Sequence, residues 1–317
     1  MSSVFDVVRA ETFKALRKRR VYVLAALYWV LLPALALLVG RLIYVNTRGT
    51  FVEEGVPLAD LMQSLFSSHG LATIALTGPA YASPTPYIIA VALMAALFIG
   101  EERGQNMWKT VLVVQPSRSA VLTGKLIVTM GTLLVLMLGA FLTAILFGTI
   151  GTVFVPTNLS GDWGGLLGLY LWQWAHLLAP VLLAFLLIFL VRSAVLGIVV
   201  VLIAPGLLEG IYSVLNTLFS LQPVTRFNAV FQALRLQRVW EELPRFFFTT
   251  NLYAPGRSPA SGLANEFISE FEQGDLGPFS QLLGSGLTLG HSSMVMAGYA
   301  LLFGLLLFWV FRRRDVD

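Results

Sequence analysis

Few residues in this 317-residue chain have the types and spacing that chemistry needs. Glu101-Glu102 stands at the end of an apolar run, where paired carboxylates of an intramembrane metalloprotease would hold a metal and a general base. That chemistry goes with the pattern EExxxR, and the arginine position is Asn106. No HExxH is present either. Leu122-Thr123-Gly124-Lys125 matches the tail of a phosphate-cradling loop, but the earlier glycine position is Ser119 and no strand precedes it. His69, His176 and His291 are scattered and lack paired ligand spacing. Gly284-Ser285-Gly286 misses the GxSG of a membrane serine protease, because the first glycine position is Leu283. The absence of cysteine excludes disulfides, thiolate metal sites, iron–sulfur clusters and a cysteine nucleophile. Glu209 remains, an ionisable group inside an apolar run. Two roles are open to it: satisfying a break at Pro205-Gly206 or pairing with an outer arginine, and lining a substrate path.

The elements that must position these residues follow from composition. Hydrophobic residues make up 57% of the chain and charged residues 12%, against about 25% charged in soluble domains. Such a deficit suits helices that face lipid. A hydrocarbon core of about 30 Å needs roughly 20 helical residues. Charge-poor runs of that order predict spans at 21–43, 84–100, 126–150, 168–191, 194–217 and 291–311. The fold class expected is therefore an all-α polytopic membrane protein with six transmembrane helices. The second span is short and starts at the Ser83–Pro86 cluster. The fifth carries Pro205-Gly206 and is expected to kink or to re-enter. The basic residues hug apolar runs and form no extended patch with stacking aromatics, which argues against a nucleic-acid partner.

Six of the lysines and arginines lie in the N-terminal segment, four in 101–125, and four at Arg192 and Arg312–Arg314, together 14 of the 21. Their side is predicted to be cytoplasmic, with both termini and the 101–125 loop on it. The first apolar run is expected to be a retained anchor, not a cleaved signal. Residues 1–20 predict an amphipathic interfacial helix, with Ser3 and Asp6 as a capping box and Phe5, Val8, Phe13 and Leu16 on its apolar face. It is either a topogenic anchor or an elbow contacting a partner. Outside are expected the loops 44–83, 151–167 and a large one at 218–290. In the last, Phe227–Leu234 predicts an amphipathic helix and Asn265–Gln273 an acidic one. No repeat or soluble domain is evident, so residues 1–317 are expected to form one membrane domain.

The 101–125 loop is long for a turn and half apolar. Met107, Trp108 and Val111 predict a short helix with one hydrophobic face, Pro116 stops it, and Arg118 and Lys125 are expected near the headgroups. On these grounds it is either a protein-contact helix or one lying on lipid. Its order of residues resembles the loop after the second span of ABC-2 transporter permeases: an acid, N/G-T-W-K-T, a short apolar run, P-V-S-R, and a lysine entering the next span. Here these are Glu101 and Glu102, then Asn106-Met107-Trp108-Lys109-Thr110, Val111–Val114, Pro116-Ser117-Arg118 and Lys125. Met107 and the shortened PSR are the departures. The basic N-terminus, six spans and long last loop are similar to that family as well.

The resemblance implies a permease subunit with no active site, working in a prokaryotic cell membrane as an exporter. It implies that 101–125 is a cytoplasmic coupling helix docking on an ABC ATPase dimer, with Glu101, Glu102, Met107, Trp108, Lys109, Val111, Pro116 and Arg118 as coupling residues. ATP and Mg would sit on that partner, no cofactor on this chain, and a second, identical or different, permease would complete the unit. The competing readings are an intramembrane hydrolase and a non-transporting scaffold or sensor.

Overall fold

The computed structural model describes residues 4–54, 66–81, 86–100, 117–154, 157, 161–191, 193–220, 237–256 and 288–313. Among these residues all regular structure is helical. Five helices are long and apolar enough to cross a membrane: Arg19–Asn46, Arg118–Gly151, Trp163–Val191, Val195–Leu218 and Leu289–Arg313. A shorter apolar helix, Tyr87–Gly100, occupies the place expected for the second span. At 1.5 Å per residue it reaches only about 20 Å. The chain divides into two compact units.

The first unit contains α1 (Val4–Arg17), α2 (Arg19–Ala26), α3 (Leu32–Glu54), α4 (Ser68–Tyr81), α6 (Arg118–Gly151) and α7 (Trp163–His176). Lys18 takes an extended conformation and separates α1 from α2. The Tyr22 hydroxyl donates to Leu16 O at 2.7 Å across that break, and Arg17 lies 4.1 Å over the Phe13 ring. A π turn, Leu27–Leu31, joins α2 to α3. It carries Trp29, whose Nε1 donates to Leu136 O at 2.8 Å. The indole lies against Gly139, where any Cβ would overlap it.

In the segment expected as an outer loop, 44–83, the described residues are largely helical instead. Helix α3 runs on to Glu54, and α4 is an apolar helix with Leu71, Ala72 and Leu76 buried. Ser67 Oγ accepts from Gly70 N at 2.9 Å and caps its start. Tyr170 donates to Ala72 O at 2.7 Å, and the Ser68 backbone lies on Gly148. The run GLATIAL is too apolar to leave in water, so it packs. Helix α7 begins earlier than the expected 168 because Asp162 Oδ1 accepts from Gly165 N at 3.0 Å, an N-cap.

The second unit contains α5 (Pro86–Ala95) with the π turn Ala96–Gly100, α8 (Leu178–Val191), α9 (Ala194–Ser220), the short α10 (Gln237–Glu242) and α11 (Phe248–Leu252), and α12 (Leu289–Arg313). Helix α8 is its centre, with Val181, Ala184, Phe185 and Ile188 all inaccessible. Gly197 of α9 packs on Ile188, and Phe311 of α12 sits 5.2 Å from Phe189. At Pro205-Gly206, where a kink or a re-entry is expected, α9 stays helical on both sides, with Pro205 inside it. A proline in a helix removes one backbone bond, and a long helix of apolar residues tolerates that where side chains and neighbours hold both halves. Leu207, Leu208, Ile211 and Val214 of α9 are exposed, as are Leu301, Leu305 and Trp309 of α12. So much open apolar surface is compatible with lipid and not with water.

Candidate functional site

Of the predicted coupling residues, Glu101, Glu102, Met107, Trp108, Lys109, Val111 and Pro116 lie outside the described residues. So do the predicted helices at Phe227–Leu234 and Asn265–Gln273, and Gly284-Ser285-Gly286. Arg118 is described. It is the first residue of α6, half-buried, so the last eight residues of the predicted coupling segment belong to the longest helix among the described residues.

Two turns into α6 the structure overturns one expectation. Lys125 does not lie among headgroups: its side chain is fully buried, and its Nζ is 3.1 Å from Oε1 of Glu11 on α1. The same oxygen accepts from Lys14 Nζ at 2.9 Å, and Lys14 is 42% exposed. Beside Lys125, Gly124 meets Val7; a Cβ there would stand 2.5 Å from Val7 Cγ1. Val7 and Glu11 are one turn apart on α1 and so share a face. Ala15 continues that face and is also buried. Phe5, Phe13 and Leu16 are exposed. Leu122-Thr123-Gly124-Lys125 is thus packed helix, with its glycine against a side chain and its lysine in an ion pair, and offers no phosphate cradle. Glu11 was missed at the sequence level. The available signal was an acid past the first turn of a helix rich in basic residues and a lone lysine inside SAVLTGKLIV.

In the second unit, Glu209 accepts from Thr249 N at 2.7 Å and from Thr249 Oγ1. Thr249 stands in the first turn of α11, where backbone N–H groups lack helical partners, so the carboxylate serves as a cap supplied by a neighbouring helix. Tyr212 and Asn216 continue the same stripe of α9. Tyr212 donates to Trp240 O at 3.0 Å, and Trp240 Nε1 donates to Asn216 Oδ1 at 3.2 Å. Tyr212 also meets the edge of Phe247. The stripe 209, 212, 216 holds the segment 237–256 in place. Within that segment Phe248, Leu252 and Tyr253 are buried, whereas Phe246 is 51% exposed. Phe231, Trp240, Phe246 and Phe247 are expected to be largely buried against protein or headgroups; Phe231 lies outside the described residues, Trp240 and Phe247 are half-buried, and Phe246 is exposed beside His291 and Tyr299.

Glu209→Ala removes charge-assisted bonds to Thr249, an expected loss of about 1.5 kcal/mol. The segment should open about tenfold more often, and trypsin should cut at exposed Arg238 and Arg245 correspondingly faster. An unchanged cleavage rate in the purified protein would rule out this role for Glu209.

The histidines serve separate packing contacts. His69 meets the edge of Trp163 at 5.4 Å. His291 Nε2 is 3.0 Å from Arg245 O. His176 Nε2 is 3.1 Å from Ser293 Oγ, a pair that resembles a hydrolase dyad. However, the Ser293 hydroxyl donates to Leu289 O at 2.7 Å. That bond to the preceding turn is what a helical serine ordinarily makes, and it gives the hydroxyl a structural partner. Among the described residues no group of three histidine, aspartate or glutamate side chains could hold a metal ion.

The family model described as ABC-2 family transporter protein matches residues 7–205. Comparison with curated proteins and with solved structures gives no match.

Proposed function

Because the chain belongs to the ABC-2 transporter family, and is thus a multi-pass permease of an ABC transporter, we propose that it couples ATP hydrolysis on separate ATPase subunits to export across the cell membrane. Two permeases and two ATPases would form the working unit. The chain as a whole acts as one permease domain, with 1–20 as an interfacial elbow and 218–290 as an extracytoplasmic cover. Residues 101–125 dock on the ATPase, with Trp108 as anchor, Met107 and Val111 beside it, Lys109 at its polar side, and Pro116 ending the helix. Glu101 and Glu102 hold the loop through basic neighbours such as Arg118. ATP and Mg belong to the partner, and this chain carries no catalytic role. Glu209 anchors the cover and does not move substrate.

The observation that carries this reading is the family match over 7–205, which takes in α1, the 101–125 segment and α6. The way α6 begins at Arg118 supports it, since a displacement of the loop enters a continuous helix of 34 residues. The buried packing of Gly124 and Lys125 supports placing the nucleotide elsewhere. Purification of the tagged permease from native membranes should bring down an ABC ATPase; its absence would sink the reading.

Orientation has its own test. The chain has no cysteine, so an introduced one reports alone. Cysteine at 260 should react with an impermeant maleimide in intact cells, and cysteine at 110 only after permeabilisation, from the distribution of basic residues. The opposite pattern would invert the topology.

A further inference from the structure

We propose that Glu11 and Lys125 are positioning residues for coupling: they latch α1 onto the first turns of α6, so that the N-terminal helix moves as one body with the end of the coupling segment. The inference rests on the reading of 101–125 as the ATPase-docking segment.

Four observations carry it. The pair is buried, with Lys125 at 0% and Glu11 at 5% side-chain exposure and a separation of 3.1 Å. An apolar contact at this place would tolerate sliding by a few tenths of an ångström. A buried ion pair does not, because separating the charges leaves each one desolvated and unpaired. Gly124 then removes the slack beside it, since its missing side chain lets Val7 seat against the backbone of α6. Lys14 approaches the same Glu11 oxygen from the exposed side and fixes the direction of the carboxylate. Finally, Lys125 lies two turns after Arg118 on an unbroken helix, about 10 Å along its axis. A displacement arriving at Arg118 reaches the latch through rigid helix. From α1 it passes, across the single extended residue Lys18, into Arg19 and the first long apolar helix. The first and third expected spans thereby receive one input.

The experiment uses the full permease with its co-purified ATPase, and the double variant Val7→Cys/Gly124→Cys. The Cβ atoms would stand 2.9 Å apart, and a small shift brings them to the roughly 3.5–4.5 Å of a disulfide. Crosslinking should be fast, and equally fast in the nucleotide-free and the vanadate-trapped complex. Adding Glu11→Gln should slow it about tenfold and abolish transport-linked ATPase activity while the ATPase remains bound. The exchange variant Glu11→Lys/Lys125→Glu should restore both, and it also serves if Glu11→Gln fails to fold.

A crosslinking rate that falls on vanadate trapping would show the helices parting and overturn the proposal. So would wild-type crosslinking in Glu11→Gln, or no recovery in the exchange variant. If no ATPase co-purifies, the coupling reading fails. Crosslinking in the permease alone still decides whether Glu11 and Lys125 hold α1 to α6, so the two failures are distinct.

Discussion

Lys125→Ala is expected to be the most destabilising single change in the described part of this protein. It removes the partner of a buried carboxylate without removing the carboxylate. Truncating one side of a buried pair costs about 3–5 kcal/mol, because the remaining charge stays desolvated. Lys14 also reaches Glu11 Oε1, from a position 42% exposed, and offsets part of the loss. A value near the lower end, about 3 kcal/mol, is therefore expected. The double replacement Glu11→Leu/Lys125→Leu should recover most of it, since two apolar side chains can fill the same space without a charge to satisfy. Thermal unfolding of the purified permease in detergent measures both. Wild-type stability in Lys125→Ala, or a double variant no better than the single one, would mean that the pair is not desolvated as the structure has it. Recovery of stability by the leucine pair without recovery of transport would separate packing from positioning.

Trp108→Ala tests the proposed function at its most exposed point. If 101–125 docks on an ATPase, the indole is the largest apolar group available to fill a pocket there. Tryptophan anchors at interfaces cost roughly 2 kcal/mol or more on truncation, which corresponds to about thirtyfold weaker association. Insertion and folding of the permease should be unaffected, because the residue lies between spans. Co-purification of the ATPase and transport-linked ATP hydrolysis are the measurements. If both are unchanged, the segment lies on lipid and not on protein. Loss of Glu101 or Glu102 should be milder, since in the proposed function those carboxylates would hold the loop and would not enter the partner.

Much of this was legible in the residues alone. The membrane class and the places of the long helices follow from apolar runs, because whether about 20 consecutive residues suit hydrocarbon is a local property. Membership in the ABC-2 family was visible in the 101–125 stretch and in the basic N-terminus. The helix ends were less accessible. Residues 118–125 carry charge and by sequence read as loop, yet they are helical, since a lysine with a buried partner is no obstacle to a helix. The segment 68–81 has too few residues to span and by sequence reads as part of an outer loop. It is helical and packed because Gly148 and the Tyr170 hydroxyl receive it.

The remaining features depend on residues distant in the chain coming together. Neither Glu11 nor Lys125 carries any mark of the other, and a topogenic lysine at a membrane face has the same letter as one in a buried ion pair. Glu209 was conspicuous as a charge in an apolar run, but its engagement by Thr249 requires α11 to lie beside α9. Pro205 suggests a kink or a re-entry by its chemistry, and the helix runs through it. Local periodicity and hydropathy determine which segments become helices in a membrane, because each residue's preference for lipid or water acts on its own. Which charged residue faces which is set by how helices pack, a sum over many weak contacts that no single position records.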